Sequence, residues 1–294
     1  MKIKQLITTP RIIGIALIII AVLTYIMQQS LEALIIAIPG LILLLTPNKS
    51  AKEEFKEFIN SFKLNKEYAW IMFIDAMCWV VCALLFFGLY ALLKNSIEKL
   101  RTLPIGTSLN PAMLSAYNDI LQRFFINAII ALVVFYLLAL IAYSVSRGMI
   151  WNVLLTKRTR TQFFLRLGLL NLIWCTIWVF ITGFFLVTMK SPLAIIALFA
   201  ITVLLYVHLT TILHHSFTKN NAFGAALKDT FGTGVGSLAR FAHPYCYIFI
   251  IYVLLSWILS IAQGKMQMMM YFVLLFAFMA WYRIYMRNTL RRIL

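Results

Sequence analysis

Long apolar runs alternate with short, polar and mostly basic connectors along the whole chain. Eight runs stand out, at about 11–28, 31–46, 69–93, 124–146, 167–189, 191–213, 241–262 and 266–286. Crossing about 30 Å of hydrocarbon at about 1.5 Å per residue takes about 20 helical residues. The pattern therefore predicts an all-α integral membrane protein of about eight transmembrane helices. The first two runs predict an N-terminal hairpin over 1–48, and the rest a six-helix membrane domain over 49–294. The second run is short and carries Pro39-Gly40, so it either spans or re-enters. In both cases the chain returns to its starting side. The opening MKIKQLITTPR, followed by IIGIALIIIAVLTYIM, has the look of a signal peptide. Gln28, Gln29 and Ser30 offer no small-x-small cleavage site, so a retained first span is expected.

The polar connectors have a pattern of their own. In SAKEEFKEFINSFK, Ser50 and Glu53 read as a capping box. There Phe55, Phe58, Ile59 and Phe62 fall at helical spacing, with lysines and glutamates opposite. In WNVLLTKRTRTQFFLRLG, Lys157, Arg158 and Arg160 precede Phe163, Phe164 and Leu167. In NNAFGAALKDTFGTG, Phe223, Leu227 and Phe231 share a face. One reading is three copies of a unit, an interfacial amphipathic helix followed by a hairpin, over 49–146, 147–215 and 216–294. Such helices lie in the headgroup plane with aromatic rings down and cations toward phosphate. Phe55, Phe58, Phe62, Lys157, Arg158, Arg160, Phe163, Phe223 and Phe231 are then the lipid-interface candidates. The other reading is ordinary linkers with scattered aromatics. The connector over 94–123 contains SLNPAML, in which Asn110 suits a helix cap and Pro111 a first helical position. Leu114, Tyr117, Leu121 and Phe124 follow at helical spacing. A helix is expected there, running directly into the fourth span.

Composition sharpens the class. The 294 residues are 63% hydrophobic and 12% charged, with a mean hydropathy of +0.93. Soluble domains are about 45–50% apolar and about 25% charged. The formal charge of +17 would suggest nucleic acid in a soluble chain. Here its distribution gives another cause. Twenty of the 26 Lys and Arg fall on the side of the N-terminus, and six on the other. That bias places both termini in the cytoplasm of a multi-pass cell-membrane protein. The expected partners are the lipid bilayer, anionic lipid on the cytoplasmic side and a membrane protein partner, with no nucleic acid. The four cysteines, three of them within spans and Cys246 near the start of another, read as small apolar packing residues.

Asp75 is the one acidic residue inside a long apolar run, in FIDAMCWVVC. A carboxylate at such depth is costly and marks a functional candidate by default. Because span direction alternates, polar groups of other spans fall at a similar level. The candidate pocket is Asp75, Arg147, Arg166, Asn171, His208, His215 and His243, open to the cytoplasm. The competing reading is a single structural pair between Asp75 and Arg147, Arg166 or a histidine. His208, His215, His243 and Asp75 include competent zinc ligands but lack any metal-ligand spacing. MQMMM at 266–270 reads as flexible apolar packing. GTGVGS at 232–237 lacks the Gly-Lys-Ser/Thr ending of a phosphate loop. No metal, cofactor or catalytic residue is expected.

Two segments, SVSRGMIWNVL after one span and AFGAALKDTFGTGVGSLARF before another, share a style of span, glycine, amphipathic helix and span over about 140–260. In this the chain resembles uncharacterised prokaryotic polytopic membrane families related to the membrane domain of glycerophosphodiester phosphodiesterases. The resemblance implies an α-helical membrane fold. The soluble catalytic domain of those enzymes is not in this sequence, so it implies no activity and no site residue. Three functions stay open: a non-enzymatic protein that organises the membrane or binds a partner; a small-solute or ion transporter with a pocket around Asp75; and an intramembrane lipid-modifying enzyme. Paired Gly/Pro interruptions in matching halves, the usual pointer to a transport site, are missing.

Overall fold

A computed structural model describes residues 13–14, 16–21, 37, 39–42, 48–63, 65–101, 111–157, 160–189, 191–261 and 264–293. The helices, in chain order, are α1 (Asn48–Asn60), α2 (Lys66–Arg101), α3 (Pro111–Leu155), α4 (Thr161–Thr188), α5 (Pro192–Asn220) and α6 (Phe223–Asp229). A π-helical turn, Thr230–Val235, leads to α7 (Leu238–Ile261) and α8 (Gly264–Ile293). The described residues contain no strand. Six helical segments among them are long and apolar enough to cross a membrane: Lys66–Lys94, Asn118–Leu155, Thr161–Thr188, Ala194–Asn220, Leu238–Ile261 and Met266–Ile293. They coincide with the last six apolar runs. The first two runs, like Ser50 of the capping box, Asn110 and Arg158, lie wholly or largely outside the described residues or side chains. The described pieces of those two runs are helical and approach closely. A Cβ on Gly40 would stand 2.9 Å from the Gly14 carbonyl oxygen, which only glycine allows.

Local chemistry sets the helix ends. Pro111 opens α3, where its missing N–H is one of the unpaired donors of a first turn. The helix then runs for 45 residues, about 67 Å, more than twice the hydrocarbon thickness. It ends with Thr156 in the left-handed region at φ 52. The Thr156 N–H reaches Val153 O at 3.2 Å and the Lys157 N–H reaches Asn152 O at 3.0 Å. That is a Schellman ending on a residue other than glycine. The second connector is consequently not a helix of its own. It is this ending plus the first turn of α4, which contains Phe163 and Phe164. The first connector is the 13-residue α1, and the third is the seven-residue α6 with its π turn. Ser191, extended, and Pro192 start α5, and left-handed Asn221 stops it.

The chain forms two compact units. One comprises Met1–Phe73, Trp151–Lys157 and Phe184–Leu294; the other, Ile74–Ile150 and Arg158–Gly183. These boundaries cut across the threefold division read from the connectors. In the first unit α1 packs on α7 and α8, and α5 packs on α6 and the π turn. Its centre is aromatic. Phe58 stacks on Tyr247 at 4.7 Å and meets Trp281 edge-on at 5.9 Å, while Trp281 stacks on Tyr285 at 5.5 Å. Each such pair adds about 0.5–1.5 kcal/mol beyond the area it buries. In the second unit Leu140, Ile150, Leu167, Leu170 and Trp174 form the core. Gly148 keeps that core closed, because a Cβ there would come within 2.8 Å of the Phe164 ring.

Most of the length of the spans is not covered by protein. Only 6% of the most apolar window of α2, and likewise of α3, is buried, and Phe86, Phe87, Leu92, Ile129 and Ile130 are exposed. In water, so much contiguous apolar surface would drive aggregation. In hydrocarbon it is ordinary, since lipid tails are as apolar as leucine. The chain is an all-α, multi-pass membrane protein.

Candidate functional site

The seven candidate pocket residues are divided between the two units. Asp75, Arg147, Arg166 and Asn171 belong to the second unit, and His208, His215 and His243 to the first.

Within the second unit, Asp75 of α2 is 1% exposed. Arg147 Nη1 of α3 donates to its Oδ1 at 3.0 Å. The Arg147 guanidinium also lies 4.9 Å from the centre of the Tyr143 ring, one turn back on α3. The pair therefore neutralises its charges internally, and an aromatic face shields the cation. One turn further from the α3 end, Asn171 Nδ2 of α4 donates to Ser144 Oγ at 3.0 Å, and that hydroxyl donates to Leu140 O at 2.7 Å. These bonds tie α2 to α3 and α3 to α4 at one level. Arg166 is exposed and is not drawn into this cluster. Further along α2 and α3, a cavity of about 500 Å³ is lined by Leu84, Gly88, Leu92, Ile130 and Val134, with Asn127 as its polar residue. Its walls suit hydrocarbon and bring no reactive group.

Within the first unit the three histidines have three different settings. His243 Nδ1 of α7 donates to Glu54 Oε2 of α1 at 2.6 Å. Arg292 of α8 donates to the other oxygen, Oε1, at 2.9 Å. Both oxygens of a carboxylate only 6% exposed are thus engaged. Glu54 was expected on the polar side of α1. It lies instead on the buried side, with Phe58 and Ser61. Trp281 Nε1 donates to Ser61 Oγ at 2.8 Å, and the Ser61 hydroxyl donates to Phe58 O at 2.6 Å. Phe58 is accordingly buried in protein rather than turned to lipid, whereas Phe62 stays partly open. Glu57, one turn along from Glu53, is half-buried. Burial pushes its carboxyl above the ordinary 4.5; Glu54 and Glu53 push the same way, and Arg292 at 3.8 Å opposes. A 3.8 Å pair between half-open side chains is weak, so burial prevails.

His208 of α5 bonds to Tyr245 Oη through Nδ1 at 2.7 Å and to Gly234 O of the π turn through Nε2 at 2.9 Å. A Cβ at Gly234 would stand 2.7 Å from the end of the Leu209 side chain, which would have to shift to admit it. His215 is 2% exposed with neither ring nitrogen hydrogen-bonded, and its ring meets Trp151 edge-on at 5.4 Å.

The basic connector residues have structural roles as well. Lys157 Nζ donates to Lys219 O near the end of α5. Arg287 and Arg291 both donate to Leu154 O near the end of α3, each at 3.3 Å, and Arg287 also pairs with Glu67 at 2.9 Å. Cations at these positions complement the negative ends of two helices. Lys157 and Arg160 are exposed; Phe163 is buried, Phe223 half-buried and Phe231 exposed.

Among the described residues, no group of three or more His, Cys, Asp or Glu side chains is placed to hold a metal ion. The four cysteines are free thiols. No family model matches this chain, and neither a curated protein nor a solved structure does.

Proposed function

We propose that this protein is a non-enzymatic component of a cell membrane that organises the bilayer or binds a partner within it. The observation that carries the reading is how its strongest polar groups are used. Asp75 with Arg147, Glu54 with His243 and Arg292, and Asn171 with Ser144 bond one helix to another. A transport or catalytic pocket needs such groups free to face a solute. What the molecule leaves open is apolar span surface, on α2 and α3 above all. In this reading the Lys- and Arg-rich side, with both termini, faces the cytoplasm and anionic lipid.

In-membrane photocrosslinking tests it. A photoreactive residue at Phe86 or Ile129 should give a discrete protein adduct in native membranes. For the lipid branch, anionic lipid should be enriched around the protein extracted in native nanodiscs. A solute flux into proteoliposomes that disappears in Asp75→Asn would overturn the reading in favour of a transporter.

A further inference from the structure

α2 and α3 are pinned together at one level by Asp75 and Arg147, 3.0 Å apart. Toward their other ends they enclose the cavity of about 500 Å³. That is within the usual size of a small-molecule site, about 300–1,000 Å³. Its α2 wall runs from Leu84 to Leu93 and its α3 wall from Asn127 to Leu138. Consecutive spans run antiparallel, so the Leu93 end of one wall lies at the Asn127 end of the other. At about 1.5 Å per residue the α3 wall is about 16 Å long, half of the roughly 30 Å of hydrocarbon. The cleft is one leaflet long.

α3 carries its own depth scale. Arg147 and Asn127 are 20 residues apart. That is about 30 Å of helix, the full thickness of hydrocarbon. Every residue between Asn127 and Ser144 is apolar or aromatic. Asn127 therefore stands at the hydrocarbon boundary of the leaflet opposite to Arg147, and Leu138 near the midplane. Arg123 is one turn further out than Asn127 on the same face of α3, and both are exposed. Asp119, the one carboxylate of α3, lies a further turn out. The cleft thus has the polarity of an amphiphile. A cation stands at phosphate level, an amide at the boundary, and leucines with Ile130 and Val134 continue to the middle of the membrane.

Lipid is the occupant that fits this shape. The cleft is continuous with the apolar surface that α2 and α3 turn to hydrocarbon: Leu84, Leu92, Ile130 and Val134 line it and are exposed. A partner helix would need a groove along the whole thickness of the membrane, whereas this one stops near the midplane, short of the Asp75–Arg147 pair. Arginine suits a phosphate, which its guanidinium meets with two parallel hydrogen bonds. We propose that the α2–α3 cleft binds one glycerophospholipid, with an acyl chain between Gly88 and Val134, the phosphate beside Arg123, and the Asn127 amide donating to a phosphate or ester oxygen. The site rests on the membrane placement of α2 and α3 alone. It does not rest on the wider reading of the protein as a membrane organiser or partner-binding component, so either fails without the other.

Gly88 makes the chain end of the site testable. It lines the middle of the α2 wall, and a Cβ there would meet nothing within 4 Å. Gly88→Leu therefore sets a side chain into the cleft. Gly183→Leu places the same side chain at an equally open position on α4 and serves as its control. The full chain, purified in detergent and stripped of lipid, is titrated with palmitoyl-oleoyl phosphatidylglycerol, and the first bound lipid is followed by native mass spectrometry. Wild type and Gly183→Leu should take up one lipid with the same affinity, and Gly88→Leu should lose that step. The headgroup end is tested by the double variant Arg123→Gln, Asn127→Leu, which leaves the apolar walls intact. Its affinity should fall about tenfold, the worth of one hydrogen bond to a charged group. Circular dichroism checks that each variant keeps its helices. Equal affinity in Gly88→Leu and Gly183→Leu, or an unaltered affinity in the double variant, would overturn the proposal.

Discussion

Glu54 and His243 are 2.6 Å apart across 189 residues of sequence, one on α1 and the other on α7. With Arg292 of α8 on the second carboxylate oxygen, this is the polar fastening that holds α1 against α7 and α8. Breaking a buried pair from one side strands the remaining charge, typically at about 3–5 kcal/mol. Glu54→Ala should lower stability by that order, read by thermal unfolding of the protein in nanodiscs. A change within error would mean that α1 is held by its aromatic face alone.

Glu57, three residues on, should behave in the opposite way. Its folded pKa is raised, so its stabilising share is complete below the ordinary carboxylate value and lost as pH rises through the raised one. At neutral pH the ionised carboxylate works against folding. Glu57→Gln should unfold at the same or a higher temperature than wild type at pH 7, with the gap closing as pH falls to 4. A destabilised Glu57→Gln at pH 7 would show that Arg292 outweighs burial.

The aromatic face of α1 should be sharply unequal. Phe58 is 8% exposed among Tyr247, Trp281 and Tyr285, while Phe62 is 43% exposed. Phe58→Ala should cost about 3–5 kcal/mol, in the range of buried phenylalanine truncations. Phe62→Ala should cost clearly less. Equal losses would point to a shared lipid-facing role instead of this packing.

Two glycines of the second unit make a matched pair. Gly148→Ala places a methyl within 2.8 Å of the Phe164 ring, and overpacking of this kind costs about 1–3 kcal/mol. Gly183→Ala meets nothing within 4 Å and removes a flexible residue from the middle of α4, which should be neutral or stabilising by up to about 1 kcal/mol. Circular dichroism melts of both variants in the same lipid test the contrast.

The spans were legible because hydrocarbon imposes a length and a composition on any helix that crosses it. The start of α3 at Pro111 was legible for a local reason, since proline suits a first turn. The end of α3 was not, because Thr156 adopts a left-handed conformation that its side chain disfavours; only the hydrogen bonds of the folded chain make it legible. The Arg147 partnership of Asp75 was among the pairings read from alternating span direction. The individual settings of the three histidines were not, because depth places a residue along a helix axis but does not say which neighbour it faces. Glu54 was missed in the presence of a usable signal: Glu54, Phe58 and Ser61 are spaced by four and three, one helix face. The adjacent Glu53 offered a capping box, and charge was read as solvent-facing.

The central claim is that Asp75 is half of a structural ion pair, and its most direct test is thermal unfolding of wild type and Asp75→Asn in lipid nanodiscs from pH 5 to pH 9. With Arg147 3.0 Å away and Asp75 1% exposed, the variant should lose about 3–5 kcal/mol near neutral pH. A variant as stable as wild type, or more so, would contradict the account, because it would show a carboxylate kept in the membrane at a cost for some purpose other than holding α2 to α3.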